Sequence, residues 1–571
     1  MTYKNRMRNL SASRLRLTLP LLVGLYANPR SVEAAYPASV QGRRFAVATD
    51  HEDATAAAMN ILRSGGHAAD AAIAAALVLG VVNPSASGIG GGGFALIYDA
   101  KKKEVKVIDF RECAPKTLDA DALAALGEAP LRGPAIGVPG EVAGLDWLSR
   151  HYGRKPWHAL VAPAAGLANH GFFVQRHLAR MAREGRKFIE ASPPLAAAFL
   201  PKGEPVVYRA VVKRPALGKT LDEIARHGSK AFYGGAIAQS LVDTAGKHGS
   251  HLSLEDLANY SVVERSPLSL TIDGKTILTM PAPSAGGLML LEVLRVFGAS
   301  PQSEMVKQGY GSSGYFHSIA EAMRGAFVDR ALMAGDPAFE ASVNDDYARL
   351  LEPPNIDRMK LQITPFRTTS PKDWVPLEGG TSHLTVVDAD GNVVSLTTTV
   401  NDLFGSRIVD EKTGVLLNNE LDDFTLPKKQ TVDARFGLRN RPRPGARPVS
   451  SMAPTLVLES GRPVLVAGGS GGLRIATAIA QAVAQRLWFG CDPLACVSAA
   501  RVHVAGLLPG IAVDADVSDD VRGGLILRGE TPRVDPVSHN ALEMIAIDWV
   551  GDVPTLRAAA DPRKFGVAAA E

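Results

Sequence analysis

The stretch EGGTSHLTVVDADGNVVSLTTTVNDLFG, Glu378 to Gly405, places a small hydroxyl residue after two glycines and at the start of a strand pattern. Leu384, Val386 and Val387 lead to a turn at Asp388-Ala389-Asp390-Gly391-Asn392, and Val393 to Val400 returns as a largely β-branched run. This pattern predicts a β-hairpin headed by Thr381. On residue type alone, Thr381 reads as an ordinary strand threonine and Gly379-Gly380 as an ordinary loop. The sharper reading is that the Gly380–Thr381 bond is cut. Thr381 would then be a new N-terminus carrying a hydroxyl nucleophile and an α-amine, whose reference pKa of about 7.7–8.0 suits a general base near neutral pH. Glycines before the bond let the backbone take the strained shape that brings the hydroxyl onto the preceding carbonyl.

The 571 residues are 46% hydrophobic and 21% charged, an ordinary globular composition that excludes a disordered scaffold. Residues 1–34 stand apart. Lys4, Arg6, Arg8, Arg14 and Arg16 precede an apolar Leu17 to Ala27, and Val32-Glu33-Ala34 offers small residues for cleavage, the pattern of a secretory signal peptide. The apolar run is broken by Pro20 and Gly24 and is too short to span a bilayer. This segment holds six Lys/Arg and one Glu, so the remainder carries 56 basic and 57 acidic residues, and the formal +4 charge belongs to the leader. Net charge gives no support to a nucleic-acid partner. Cys113, Cys491 and Cys496 make neither a disulfide framework nor a zinc spacing, although Cys491 and Cys496 could pair in an oxidising compartment.

Ahead of the hairpin, Ala54 to Ser64 and His67 to Val82 read as two helices, the second apolar on all sides and hence buried. Gly88, Gly90 and Gly93 have GxGxxG spacing, but a helix precedes them and a strand follows, the reverse of a dinucleotide site. Their expected role is close passage of backbone. A strand Val105 to Phe110 ends in Arg111-Glu112-Cys113, where Arg111 is placed either to hold a substrate carboxylate or to form a surface ion pair. Residues 138–297 are mainly helical, with one hairpin over Leu268 to Met280, and Tyr315 to Met333 reads as an amphipathic helix. Residues 340–377 read as a tether leading to the cleavage point.

Beyond the hairpin come a short strand Gly414 to Leu417, the acidic NNELDDF (Asn418 to Phe424) and a basic loop Thr425 to Arg447. Strands Thr455 to Glu459 and Val464 to Ala467 then lead through Gly468-Gly469-Ser470-Gly471-Gly472 into a helix from Leu473 to Trp488. Such a helix start stabilises an anion, whether phosphate or oxyanion. A nucleotide site would also want a second strand ending in an acid about twenty residues on, which is missing here. Thr381, the glycine turn, Arg111 and the acids of NNELDDF together describe an amidase that reads a carboxylate-bearing or zwitterionic acyl group.

The sequence resembles the γ-glutamyltranspeptidase, or glutathione hydrolase, family of the N-terminal-nucleophile hydrolase superfamily over nearly all of the chain after the leader. The resemblance is carried by ILRSGGHAADAAIAAALVLGVVNPSASGIGGGGF, DFRECAP, GVPGEVAGL, EDLANY, MPAPSAGG, the TSH to VNDLFG hairpin, LLNNELDDF, RPVSSMAPT, GGSGGLRI and the late ADPR. It implies an α+β, four-layer αββα fold, with two stacked antiparallel sheets flanked by helices. It also implies a large piece, 35–380, and a small catalytic piece, 381–571, intertwined as one heterodimeric domain. Thr381 falls on the nucleophile and autoprocessing residue, Thr399 on its threonine partner, and Gly471 and Gly472 on the oxyanion donors. Arg111 falls on the α-carboxylate ligand, helped by Ser450, while Asn401, Glu420 and Asp423, with Ser451 beside them, fall on the α-amine site. The implied substrates are glutathione or other γ-glutamyl amides, with water, amino acids or dipeptides as acceptors. No cofactor, metal, nucleic acid or membrane span is implied, and the leader places the mature protein in the periplasm or outside the cell.

Ser382 and Ser470 depart from the threonine and proline of many relatives, and the resemblance puts the basic loop Thr425 to Arg447 where relatives carry an active-site lid of different sequence, in which Phe436 would stand in for an aromatic gate. Residues 501–571 are shorter and more divergent than usual. Two alternatives remain: a cephalosporin acylase-like amidase taking a glutaryl group without an α-amine, and a binding protein without turnover.

Overall fold

The computed structural model describes residues 39–298, 304–369, 380–426, 437–504, 510–535 and 540–571. The leader 1–34, Glu378, Gly379, Phe436, the end of the tether and the centre of the basic loop lie outside them.

Gly380–Val387 and Val393–Asn401 form the expected hairpin. Its turn is held by Asp388, whose carboxylate accepts the backbone N–H groups of Asp390 and Asn392 at 3.0 Å each and that of Ala68 at 2.9 Å. The Ala68 bond fastens the turn to the start of the helix Ala68–Val82. All fifteen residues of that helix are buried, as an unbroken apolar run requires.

The hairpin lies in the middle of a seven-stranded antiparallel sheet. In spatial order its strands are Val567–Ala570, Ala46–Thr49, Gly380–Val387, Val393–Asn401, Gly92–Asp99, Glu104–Phe110 and Val263–Arg265. A second antiparallel sheet of seven orders Val40–Gly42, Val553–Ala560, Ala541–Val550, Arg462–Ser470, Thr455–Glu459, Lys275–Thr279 and Leu268–Ile272. Residue alternation along the hairpin fixes the layering. Leu384, Val386, Val394 and Leu396 face the helices Glu52–Arg63 and Ala68–Val82, while Val387 and Val393 join the core shared with the second sheet. Helices Gly286–Phe297, Ser313–Met333 and Arg474–Phe489 belong to that second core. The result is the four-layer α+β arrangement of two stacked sheets between helices.

The loop glycines act as backbone passages: a Cβ on Gly90 would lie 2.1 Å from the Leu416 carbonyl oxygen, and one on Gly93 2.1 Å from that of Thr397. Residues after Arg501 build a small sheet of Val502–His503, Ile511–Asp514 and Pro532–Asp535 before the chain returns to the main sheets.

Three expectations are corrected. Gly414 to Leu417 is an irregular segment with one isolated bridge, Val409 to Leu416, because the Asp410–Gly414 turn leaves no room for a ladder. Residues 340–369 of the tether carry the helices Val343–Leu350 and Pro353–Gln362, anchored by the buried Val343, Tyr347, Ile356 and Met359. The helix Ser313–Met333 is buried on nearly every side rather than amphipathic. Its polar stripe is neutralised internally: Arg324 pairs with Glu321 and Glu530, and His317 contacts Glu530 at 2.8 Å and the Thr364 carbonyl at 2.7 Å. Among the described residues His317, Glu321 and Glu530 are grouped closely enough for a metal, but the Arg324 guanidinium already supplies the positive charge there.

Candidate active site

The hairpin register slips between Gly380, opposite Asn401, and Thr381, opposite Thr399. Asn401 absorbs the bulge with a left-handed φ of 74°. The Thr381 and Thr399 hydroxyl oxygens are thereby 3.4 Å apart. Thr399 donates to the Gly380 carbonyl at 2.6 Å and accepts from the Asn401 N–H at 2.9 Å. A hydroxyl proton therefore rests on the carbonyl that Thr381 would attack. Gly380 admits no side chain, because a Cβ there would meet the Ser85 carbonyl oxygen at 2.6 Å.

From Asn401 a short chain of contacts leads to the predicted binding residues. Its side-chain amide donates to the Asn419 carbonyl at 3.1 Å, and the next residue opens the 3₁₀ turn Glu420–Asp423. Two of the three acids of that turn reach Arg111: Asp423 accepts from Nη2 at 2.6 Å and Glu420 accepts from Nη1, while Asp422 accepts from Arg132 at 2.6 Å. Nε and Nη2 also donate to the carbonyls of Pro448 and Val449 at 2.7 and 3.2 Å. Arg111 is thus no surface pair. It is 1% exposed and faces the two carboxylates expected to meet an ammonium.

Burial lifts the Glu420 carboxyl to about 7 against the opposing pull of Arg111. Glu112 is held well above the ordinary range by burial and then by the Glu420 charge. Ser450 is buried beside this cluster; its hydroxyl accepts the Met452 N–H at 3.1 Å, and its carbonyl accepts from Arg330 at 3.0 Å. Ser451 is half-buried, and its carbonyl packs against Gly286, where a Cβ would sit 2.2 Å away.

Gly471 and Gly472 turn the strand Arg462–Ser470 into the helix Arg474–Phe489 with φ of 117° and 58°, values open to glycine. A Cβ on Gly471 would also lie 2.5 Å from that of Asn540. The strand end is joined to the hairpin by a residue that the sequence did not single out. Lys564 Nζ donates to the Thr381 carbonyl and to the Ser470 hydroxyl, each at 2.6 Å. Glu112 and Arg330 were also missed. Glu112 adjoins the quoted Arg111 and was legible only as that arginine's possible salt-bridge partner, whereas nothing local in the sequence marks Arg330. Cys491 and Cys496 are both free thiols, with Cys496 Sγ 3.7 Å from the Cys491 carbonyl.

Residues 54–571 match the family model described as gamma-glutamyltranspeptidase. The chain belongs to the γ-glutamyltranspeptidase family. It is 36% identical over 572 residues to glutathione hydrolase 2 of Arabidopsis thaliana, covering 96% of both chains. It is 34% identical over 541 residues to the glutathione hydrolase proenzyme of Escherichia coli K12, covering 92% of this chain and 91% of that one. The crystal structure of cephalosporin acylase from Bacillus halodurans has a TM-score of 0.83 at 26% identity, over 95% of this chain and 99% of that one. Members of the γ-glutamyltranspeptidase family are enzymes, and the stacked sheets with flanking helices are the N-terminal-nucleophile hydrolase fold.

Proposed function

We propose that the chain cuts itself between Gly380 and Thr381 and then transfers γ-glutamyl groups from glutathione or other γ-glutamyl amides to water, amino acids or dipeptides. The observation that carries this reading is the Thr399 hydroxyl on the Gly380 carbonyl at 2.6 Å, with Thr381 Oγ beside it. In the first step Thr381 Oγ attacks the Gly380 carbonyl carbon and the Gly380–Thr381 C–N bond breaks, so the acyl group passes to Oγ as an ester while the hydroxyl proton goes to the released Thr381 amine; water then hydrolyses the ester to a Gly380 carboxylate and restores the hydroxyl. That amine then takes the hydroxyl proton as Thr381 attacks the γ-carbonyl of the donor. The backbone N–H groups of Gly471 and Gly472 receive the oxyanion, its collapse expels the donor's amine, which takes the proton from the α-ammonium, and water or an acceptor amine then resolves the ester and frees the hydroxyl.

A γ-glutamyl group presents one carboxylate and one ammonium, and the Arg111–Glu420–Asp423 cluster supplies one complementary charge for the first and two for the second. Substrate entry exchanges the Arg111–Asp423 pair for these contacts. Asn401 and the Ser450 and Ser451 hydroxyls complete the site. The name proenzyme given to the E. coli relative supports cleavage into pieces 35–380 and 381–571, and the leader supports export to the periplasm or beyond.

The likeness to a cephalosporin acylase favours a second reading, a glutaryl amidase. Amine release from γ-glutamyl and glutaryl anilides separates the two. Asp423→Ala is expected to damage the γ-glutamyl reaction far more than the glutaryl one, and equal losses would reject the ammonium clamp. On a denaturing gel the parent should run as two pieces and Thr381→Ala as one; a parent that never matures would reject Thr381 as nucleophile.

A further inference from the structure

Lys564 is 3% exposed and lies in the 3₁₀ turn Pro562–Lys564, between the last strand of one sheet and that of the other. A lysine this deep needs partners for its charge. It has three: the Thr381 carbonyl and the Ser470 hydroxyl at 2.6 Å, and Asp50 at 3.5 Å. Thr381 is the residue with the candidate nucleophile, and Ser470 immediately precedes the Gly471-Gly472 turn. The ammonium therefore fixes the spacing between the attacking oxygen and the donors meant for the oxyanion.

Its charge matters as well. A cation bonded to a residue's own carbonyl lies on the order of 5 Å from that residue's α-nitrogen. At that distance it disfavours a second positive charge on a freed α-amine. Of the titratable groups around it, the Asp50 carboxylate, 3.5 Å from Nζ, partly offsets that charge. Glu543, on the neighbouring strand of the second sheet, is fully buried, and burial and then the Asp50 charge hold its carboxyl well above the ordinary range. His383, two residues along the hairpin, is neutral, pushed down to about 3 by burial and then by Lys564. Asp50 is the acid on the strand edge beside Thr381, and Glu420 and Asp423 across Asn401 are engaged by Arg111.

We propose that Lys564 is a positioning residue of the reaction: it clamps the Thr381 carbonyl to the Ser470 hydroxyl and keeps the freed α-amine of Thr381 in its neutral, proton-accepting form. The inference rests on the reading of Thr381 as the nucleophile.

The test compares Lys564→Met, Lys564→Arg and Ser470→Ala with the parent, reading chain cleavage on a gel and the pH dependence of kcat and KM on a γ-glutamyl anilide. Lys564→Met should lose at least about tenfold in kcat with KM within about twofold, and its acid limb should move up by about one pH unit. Lys564→Arg should keep the limb in place. Ser470→Ala, which retains the charge, should lower kcat without moving the limb. A Lys564→Met protein with the parental kcat and limb overturns the proposal, as does equal impairment of Met and Arg variants with neither limb moved. A folded but uncut Lys564→Met chain supports the clamp at the cleavage step. If that variant does not fold, Ser470→Ala decides, and its parental kcat would overturn the clamp. Thr381→Ala runs alongside: turnover there rejects the nucleophile itself, whereas loss there with a parental Lys564→Met rejects only the role of Lys564.

Discussion

Arg111 has four acceptors, two carboxylates and two backbone carbonyls, arranged so that its planar fork serves them together. Lysine keeps the charge but cannot reproduce that geometry. Arg111→Lys is therefore expected to lower kcat/KM on a γ-glutamyl anilide by roughly 30- to 1,000-fold, equivalent to about 2–4 kcal/mol of lost binding to the transition state. Steady-state kinetics with the parent in parallel checks this, and a variant within twofold would show that the fork is not used. Residues in short unusual motifs, Thr381 after two glycines, Arg111 at a strand end and Gly471-Gly472 before a helix, were legible from the chain alone. Lys564 was not, because its partners lie 183 and 94 positions away and its local context, a turn after ADPR, reads as surface. For Arg111 the place at a strand end was legible, but its pair with Glu420 and Asp423 was not, since only the folded loop brings those acids within reach.

At the level of elements, periodicity served well where one face meets water and poorly where none does. The hairpin and the helix Ala68–Val82 follow directly from their patterns, whereas Ser313–Met333 carries His317, Glu321, Arg324 and Asp329 on a face that reads as exposed and is buried. Partners distant in sequence make that burial possible: Glu530, two hundred residues later, pairs with Arg324, and Arg358 pairs with Asp329 at 3.0 Å. Arg324→Met would remove the guanidinium that Glu321 and Glu530 share, leaving them the hydrogen bonds of Thr369 and His317, with an expected cost of about 3–5 kcal/mol in a urea unfolding curve. A loss below about 1 kcal/mol would mean that the acids are protonated or hydrated instead. The helix Glu141–Tyr152 gives a pH-dependent counterpart. Burial raises the Glu141 carboxyl to about 8, against the hydrogen bond from Thr398 at 2.7 Å. With the folded value above the unfolded one, its contribution is fully present below about pH 4.5 and is lost as pH rises toward 8, about 1.4 kcal/mol for each unit crossed. Glu141→Gln, neutral throughout, should match the parent's melting temperature near pH 4.5 and exceed it increasingly up to pH 8. A gap that does not change with pH would show that Glu141 stays ionised in the fold.

On the scale of the whole molecule, the proposed cut falls inside a sheet rather than between domains. In the first sheet Gly380–Val387 lies between Ala46–Thr49 of the large piece and Val393–Asn401 of the small one, and Val567–Ala570 of the small piece closes the edge beyond Ala46–Thr49. In the second sheet four strands from residues 455–560 are flanked by Val40–Gly42 on one side and by Lys275–Thr279 and Leu268–Ile272 on the other. Each sheet thus crosses the boundary between the pieces more than once, and both cores draw on both pieces. Breaking one peptide bond removes none of these ladders, while separating the pieces would expose sheet edges and apolar faces throughout. The matured protein is therefore expected to elute as one species at the parental size in gel filtration and to melt in a single transition, with the pieces parting only in denaturant. Isolated pieces mixed after refolding separately should regain little activity, because the central strand of the small piece needs its neighbour from the large piece to form. Pieces that part under native conditions, or that recombine readily to full activity, would show that the two fold as separable units.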